Sequence, residues 1–374
     1  MPGLNFDVDP DGLLEYSVVF TDRSLNHMSA SFQSVMTGIS SMLKEVYCAH
    51  SVAIVPGGGT YGMEAVARQF SNDEHALIVR NGFFSYRWSQ ILDAGKIASG
   101  TTVMKAHPAN EAENPAYEPA DINEVIERIA LDKPSVVYAP HVETAAGLML
   151  PENYIKAIAD AAHAVDALFV LDCIASGTLW VDMAETGVDV LISAPQKGWS
   201  ASPCAGLVML SERATERVGQ TTSSSFACDL RKWHDIMAAY ESGGHAYHAT
   251  MPTDPLRKLH DAMIETRTLG FDTLKRAQED LGAQVRNLLG ESGFKSVAAE
   301  GFEAPGVVVS YTDDPNIQNG SRFKALGLQV AAGVPLMIDE PDTFRSFRLG
   351  LFGLDKLNNV DRTVGNLRQA LKAL

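Results

Sequence analysis

The 374-residue sequence is short of positive charge, with 30 Lys and Arg against 46 Asp and Glu and a net charge of −16. A non-specific nucleic-acid binder needs surplus cations to displace counterions, so that class is excluded. A local anion site needs only a few donors and stays open. Cysteine is scarce as well. Cys48, Cys173, Cys204 and Cys228 are too few for a disulfide scaffold and show no metal-ligand spacing, so no metal is expected. No apolar run approaches the length of a membrane span. The N-terminal MPGLNFDVDPDG lacks the basic-then-apolar order of a signal peptide. The expectation is a soluble cytoplasmic enzyme without nucleic-acid or membrane partners. What remains is ordinary for a globular chain, 46% hydrophobic and 20% charged, with room for two domains.

Residues 50–210 alternate strand and helix patterns. Apolar runs at 52–55, 76–79, 135–138, 167–171, 189–192 and 205–209 are continuous, which suits strands buried on both faces of a parallel sheet. Asp121 and Pro151 open helices between them. This predicts an α/β fold with a doubly wound, mainly parallel sheet. Near residue 250 the pattern changes. Residues 256–290 read as one long helical stretch, followed by strands at 306–311 and 347–351 and a terminal helix from Leu357 to Leu374. The expected division is a large α/β domain over 21–255 and a small α+β domain built from 1–20 and 256–374.

Ligands of such sheets bind beyond the carboxyl ends of the strands. Three candidates lie there. Pro56-Gly57-Gly58-Gly59-Thr60-Tyr61-Gly62 joins a strand to a helix and can cradle an anion on free N–H groups; a plain glycine turn is the alternative. Gly57, Gly59 and Gly62 also match GxGxxG, but the next strand ends in Arg80-Asn81 and not in the acidic residue that a dinucleotide ribose needs. Asp172 ends the run Leu168–Leu171; it could equally cap a turn. Lys197 follows the strand at 189–192 closely, where apolar neighbours can lower an amine's pKa; an exposed turn lysine is the alternative. A phosphate cradle, a carboxylate and an amine at successive strand ends are what pyridoxal phosphate requires. The amine forms a Schiff base, the carboxylate keeps the ring nitrogen protonated, and the helix terminus holds the phosphate.

The ordered set Gly58-Gly59-Thr60, Asn81-Gly82, His141-Val142-Glu143-Thr144, Asp172, Gln196-Lys197, Tyr247-His248-Ala249-Thr250 and Arg348-Leu349-Gly350 resembles the class V aminotransferases, a fold-type-I group of pyridoxal-phosphate enzymes. The likeness runs from about residue 25 to the end. It is strongest to the alanine–glyoxylate, serine–pyruvate and 2-aminoethylphosphonate types. It implies that the large domain binds the cofactor. Lys197 would then carry it and shuttle a proton, and Asp172 would meet the ring nitrogen. Gly58, Gly59, Thr60 and Gln196 would hold the phosphate, Phe84 would stack on the ring, and Thr144 would bond near its phenolic oxygen. Tyr247 and Thr250 would reach the site of a neighbouring subunit in a homodimer. Arg348 would grip the substrate carboxylate, unless it pairs with Asp339 or Glu340 or shares the task with Arg345; His245 has no assigned role. The activity implied is transfer of an amino group from an amino acid or related amine to a small 2-oxo acid such as pyruvate or glyoxylate. A lyase or decarboxylase on the same scaffold, or a nicotinamide-dependent oxidoreductase, are the alternatives. Two departures stand out. The family's N-terminal Pro-Gly-Pro turn is replaced by Val18–Ser24, and Cys204 follows the lysine without the downstream cysteine a desulfurase needs.

Overall fold

The computed structural model describes Asp9 and residues 12–374. Residues 1–8, 10 and 11, part of the segment expected to join the small domain, lie outside the described residues. The main sheet has seven strands: β1 (Ser51–Pro56), β2 (His75–Arg80), β3 (Gly100–Lys105), β4 (Val136–Pro140), β5 (Leu168–Asp172), β6 (Val190–Ser193) and β7 (Ala205–Leu210). They lie in the order β1-β7-β6-β5-β4-β2-β3. The pairs β3/β2, β2/β4, β4/β5 and β5/β6 are parallel. Strand β7 runs antiparallel to both β6 and β1, which corrects the expectation of one more parallel strand at 205–209. The connection 194–204 carries no helix and is too short for a parallel crossover. Strand β3 had no apolar run to betray it. It is the sheet edge and stays partly solvated, so Thr101 and Thr102 serve as well as aliphatics.

The helix expected over 256–290 is two helices, Thr253–Leu269 and Phe271–Glu291, broken at Gly270 with φ +92°. That dihedral is cheap only for glycine. The break also divides the apolar core. Leu256, Leu259 and Met263 pack with the main sheet, whereas Leu274, Leu281 and Val285 pack with Val308, Phe347, Leu349, Val364 and Leu367. The second core sits on an antiparallel sheet of β8 (Val307–Tyr311), β9 (Ala331–Ala332) and β10 (Ser346–Gly350), ordered β8-β10-β9. A third cluster bridges the two parts. It joins Tyr117, Ala145, Ala146 and Leu148 to Val309, Leu336 and Ile338, with Phe83 and Phe84 packed against it. The functional residues gather around this junction.

Candidate active site

The site starts from the segments that leave the main strands. After β1, Gly58 precedes the helix Gly59–Phe70. The first amides of a helix have no helical acceptor, and the dipole makes that end positive. A methyl group on Gly58 would meet nothing within 4 Å, so open space faces this terminus. Asp172 is the last residue of β5. It is buried and accepts a hydrogen bond from the Ile174 amide at 2.9 Å. Burial pushes its carboxyl up to about 7; Glu143 adds to the rise, and Arg87 and Lys197 oppose it.

Lys197 lies in the connection between β6 and β7. Trp199 anchors that connection, fully buried between Trp180 at 4.9 Å, Phe271 at 6.3 Å and Tyr47 at 6.4 Å between ring centroids. Gly198 is pressed against the Gly177 carbonyl so closely that any side chain would overlap it. The Lys197 amine is therefore delivered by a rigid loop, and its Nζ lies 5.0 Å from the Phe352 ring centroid. Burial lowers its pKa, the Arg348 charge lowers it further, and Asp172 works the other way.

Phe84 opens from the helix Phe83–Gly95. That helix start is pinned by Glu143, which is fully buried and accepts from the Phe84 amide at 3.2 Å, the Ser85 amide at 2.8 Å and Ser85 Oγ at 2.7 Å. Burial raises the Glu143 pKa while these donors hold it down. Two guanidiniums flank the Phe84 ring. Arg348 Cζ lies 5.4 Å and Arg87 Cζ 5.5 Å from its centroid. Arg348 donates from Nε to the Ala332 carbonyl at 2.8 Å. Its pKa is lowered by burial and raised by Glu143. The expected alternative partners are engaged elsewhere. Asp339 pairs with Lys105 at 2.7 Å, and Glu340 accepts from the Leu336, Met337 and Ile338 amides. Arg345 is exposed.

Lys197, Asp172, Phe84 and Arg348 thus converge, and Thr60 joins them through Arg87, whose Nη1 donates to Thr60 Oγ1 at 2.9 Å. Thr144 is buried beside Glu143, and Gln196 is exposed beside Lys197. Tyr247 and Thr250 stand apart on an exposed loop, joined to each other at 3.1 Å, with the Tyr247 ring 5.6 Å from His27. His245 contacts the same His27 ring at 5.7 Å. Sequence reasoning assigned no role to Glu143, Arg87 or Phe352. Glu143 lay within a motif already singled out. Arg87 follows Phe84 by three residues, which places both on one helix face. Phe352 carried no signal beyond its closeness to Arg348.

Comparisons with known proteins show the family and the fold. The family model described as aminotransferase class-V matches residues 13–302. Mouse alanine–glyoxylate aminotransferase is 23% identical over 360 residues, covering 94% of this chain and 83% of the mouse protein. The 2-aminoethylphosphonate–pyruvate transaminase of Vibrio parahaemolyticus is 25% identical over 333 residues, 86% of this chain and 84% of that protein. Among solved structures, the ureidoglycine–glyoxylate aminotransferase of Bacillus subtilis matches with a TM-score of 0.76 at 21% identity, covering 96% and 88% of the two chains. That likeness speaks for the fold, a mainly parallel α/β sheet of the fold-type-I kind. The family match spans well over half of the sequence, and with it the protein belongs to the class-V aminotransferases, enzymes that work with pyridoxal phosphate.

Proposed function

We propose that the protein moves an amino group from an amino acid or related amine to a small 2-oxo acid, such as pyruvate or glyoxylate. The observation that carries this reading is the meeting of a desolvated Lys197 amine with the Asp172 carboxylate and the Arg348 guanidinium. The residues present fit pyridoxal phosphate. Open space faces the helix terminus at Gly58, and burial pushes the Asp172 carboxyl up to about 7 despite the Arg87 and Lys197 charges, so a further protonated nitrogen beside it would stabilise its charge. When bound, the cofactor supplies an aldehyde that condenses with amines and a ring that takes up electrons from the α-carbon.

The chain's own residues divide the remaining work. Lys197 holds the cofactor and then moves a proton at the α-carbon, a role that a lowered amine pKa serves near neutral pH. Asp172 keeps a proton on the ring nitrogen. Gly58, Gly59, Thr60 and Gln196 hold the phosphate, Phe84 covers the ring, and Thr144 bonds beside its phenolic oxygen. Arg348 grips the substrate carboxylate with its planar fork; its two terminal nitrogens have no partner among the described residues. The exposed pair Tyr247 and Thr250 supports a homodimer in which each loop completes the neighbour's site. The four cysteines are free, which supports the cytoplasmic placement we propose. The cofactor part extends to about residue 255 and the smaller substrate-gripping part follows it.

A half-reaction screen tests the proposal. Purified protein should show a visible absorbance band that borohydride bleaches and that Lys197→Ala lacks. Amino compounds are then added one at a time. Loss of the band together with a stoichiometric keto product supports transfer. Release of ammonia or carbon dioxide in its place would assign a lyase or decarboxylase, and a protein that binds no pyridoxal phosphate would sink the reading.

A further inference from the structure

We infer that Arg87 is a ligand of the cofactor phosphate, completing with Thr60 the anion site at the start of the helix Gly59–Phe70; this rests on the reading of the site given above. Arg87 lies one turn beyond Phe84 on a helix whose start Glu143 fixes in place. From there its Nη1 reaches Thr60 Oγ1 at 2.9 Å. Thr60 is the second residue of the other helix, so the guanidinium lies beside first-turn amides that have no helical acceptor. A cation next to the positive end of a helix dipole is repulsive unless an anion sits between them.

Among the described residues, no carboxylate forms an ion pair with Arg87 to supply that anion. Thr60 is the sole hydrogen-bond partner of Arg87 among the described residues, although the chain as a whole carries 16 surplus negative charges. Asp172 feels the Arg87 charge, but burial keeps that carboxyl up at about 7, which blunts it as a counterion. The fork geometry suits a phosphate. One guanidinium nitrogen is spent on Thr60, and the remaining N–H groups are free for phosphate oxygens. The guanidinium carbon also stands 5.5 Å from the Phe84 ring centroid, which keeps the side chain on the cofactor side of its helix.

The test uses the cofactor-free protein and two ligands that differ only in the phosphate, pyridoxal phosphate and pyridoxal. Arg87→Met keeps the length and removes the charge. It is expected to weaken pyridoxal phosphate binding at least about ten-fold and leave pyridoxal binding unchanged. Inorganic phosphate should raise the melting temperature of the wild-type cofactor-free protein and lose that effect in Arg87→Met. Arg87→Lys, with charge but no fork, should fall between the two. Equal weakening of both ligands would show that Arg87 merely ties two helices together and would overturn the inference, as would unchanged affinity for pyridoxal phosphate. If Arg87→Met fails to fold, Arg87→Lys decides by the same ratio of the two ligands. A wild-type protein that binds neither ligand would refute the underlying cofactor reading instead.

Discussion

Asp172 and Arg348 both bring charge into the site, yet the segments that hold them share little. Asp172 ends a strand that is buried along its whole length, in the middle of a seven-stranded sheet. Lys197 rides on a loop locked by Trp199, and Phe84 on a helix locked by Glu143. The groups expected to meet the cofactor are therefore placed by buried, over-determined structure. Arg348 lies within β10, paired with the two-residue strand β9. The strap that leads to it, 333–345, carries two non-glycine residues at positive φ, Met337 and Asp339. The strap is gripped from outside, by Arg80 on the Met337 carbonyl at 3.2 Å and by Lys105 on Asp339. The difference separates two tasks. On the proposed assignment, chemistry common to a family would sit on the rigid sheet and substrate choice on a segment that can vary without dismantling it.

Removing Lys197 should show the first half at full strength. Lys197→Ala is expected to lower kcat by at least about 10⁴-fold, since it removes both the covalent anchor and the acid–base group. The visible band disappears with it, while the melting temperature of the cofactor-free protein changes little. A variant that kept the band would refute the assignment.

Asp172→Asn breaks the same half in a way that separates activity from stability. We expect kcat to fall about 10²- to 10³-fold, the usual scale for losing one preorganised electrostatic partner. The cofactor-free protein should nevertheless become more stable at pH 8. The carboxyl has its ordinary value of about 3.8 when unfolded, and burial pushes it up to about 7 when folded. Between those values the native state binds a proton that the unfolded state has released. Stability from this group is therefore present at low pH, falls as pH rises from about 4 to about 7, and stays lost above that. The full difference is on the order of 4 kcal/mol. His141, buried and lowered to about 4, has the opposite slope in part of this window. Comparing melting temperatures of wild type and Asp172→Asn across pH cancels its contribution. A difference between the two that does not grow with pH would show that burial does not govern Asp172.

Arg348→Lys tests the second half. Replacing a fork with a point charge should raise KM for the 2-oxo acid about ten- to hundred-fold, leaving the visible band and cofactor affinity unchanged. Loss of cofactor binding in this variant would erase the division between the halves.

The same division governs what could be read from the sequence. Buried parallel strands are continuous apolar runs, so β4, β5 and β6 and the residues just after them were legible. Strand β3 was hidden because an edge strand has no such run. The antiparallel direction of β7 and the break at Gly270 turned on loop length and on one dihedral, which apolar periodicity does not report. The site partners that escaped are those made across the chain. Glu143 meets Ser85 from 58 positions away and Arg87 meets Thr60 from 27. Phe352 reaches Lys197 only because the C-terminal core folds back onto the sheet. No local spacing encodes such contacts. The family's motif order brings their neighbourhood together, and only the folded chain pairs the partners.

The smallest effect should come from the grip on the strap. Lys105 and Asp339 form an ion pair at 2.7 Å, but the Asp339 side chain is 79% exposed, so solvent and salt screen it. Lys105→Ala is expected to cost less than about 1 kcal/mol of stability. Its informative readout is where that loss appears. If the strap positions Arg348, KM for the 2-oxo acid rises a few-fold at low salt, and the difference from wild type shrinks as salt is added, because exposed charges are screened over about 10 Å at 0.1 M. Cofactor affinity should stay put, since none of the residues expected to hold the phosphate or the ring touches the strap through Lys105. An equal loss in cofactor affinity would mean that the strap braces the sheet side as well, and the two halves would then have to be treated as one.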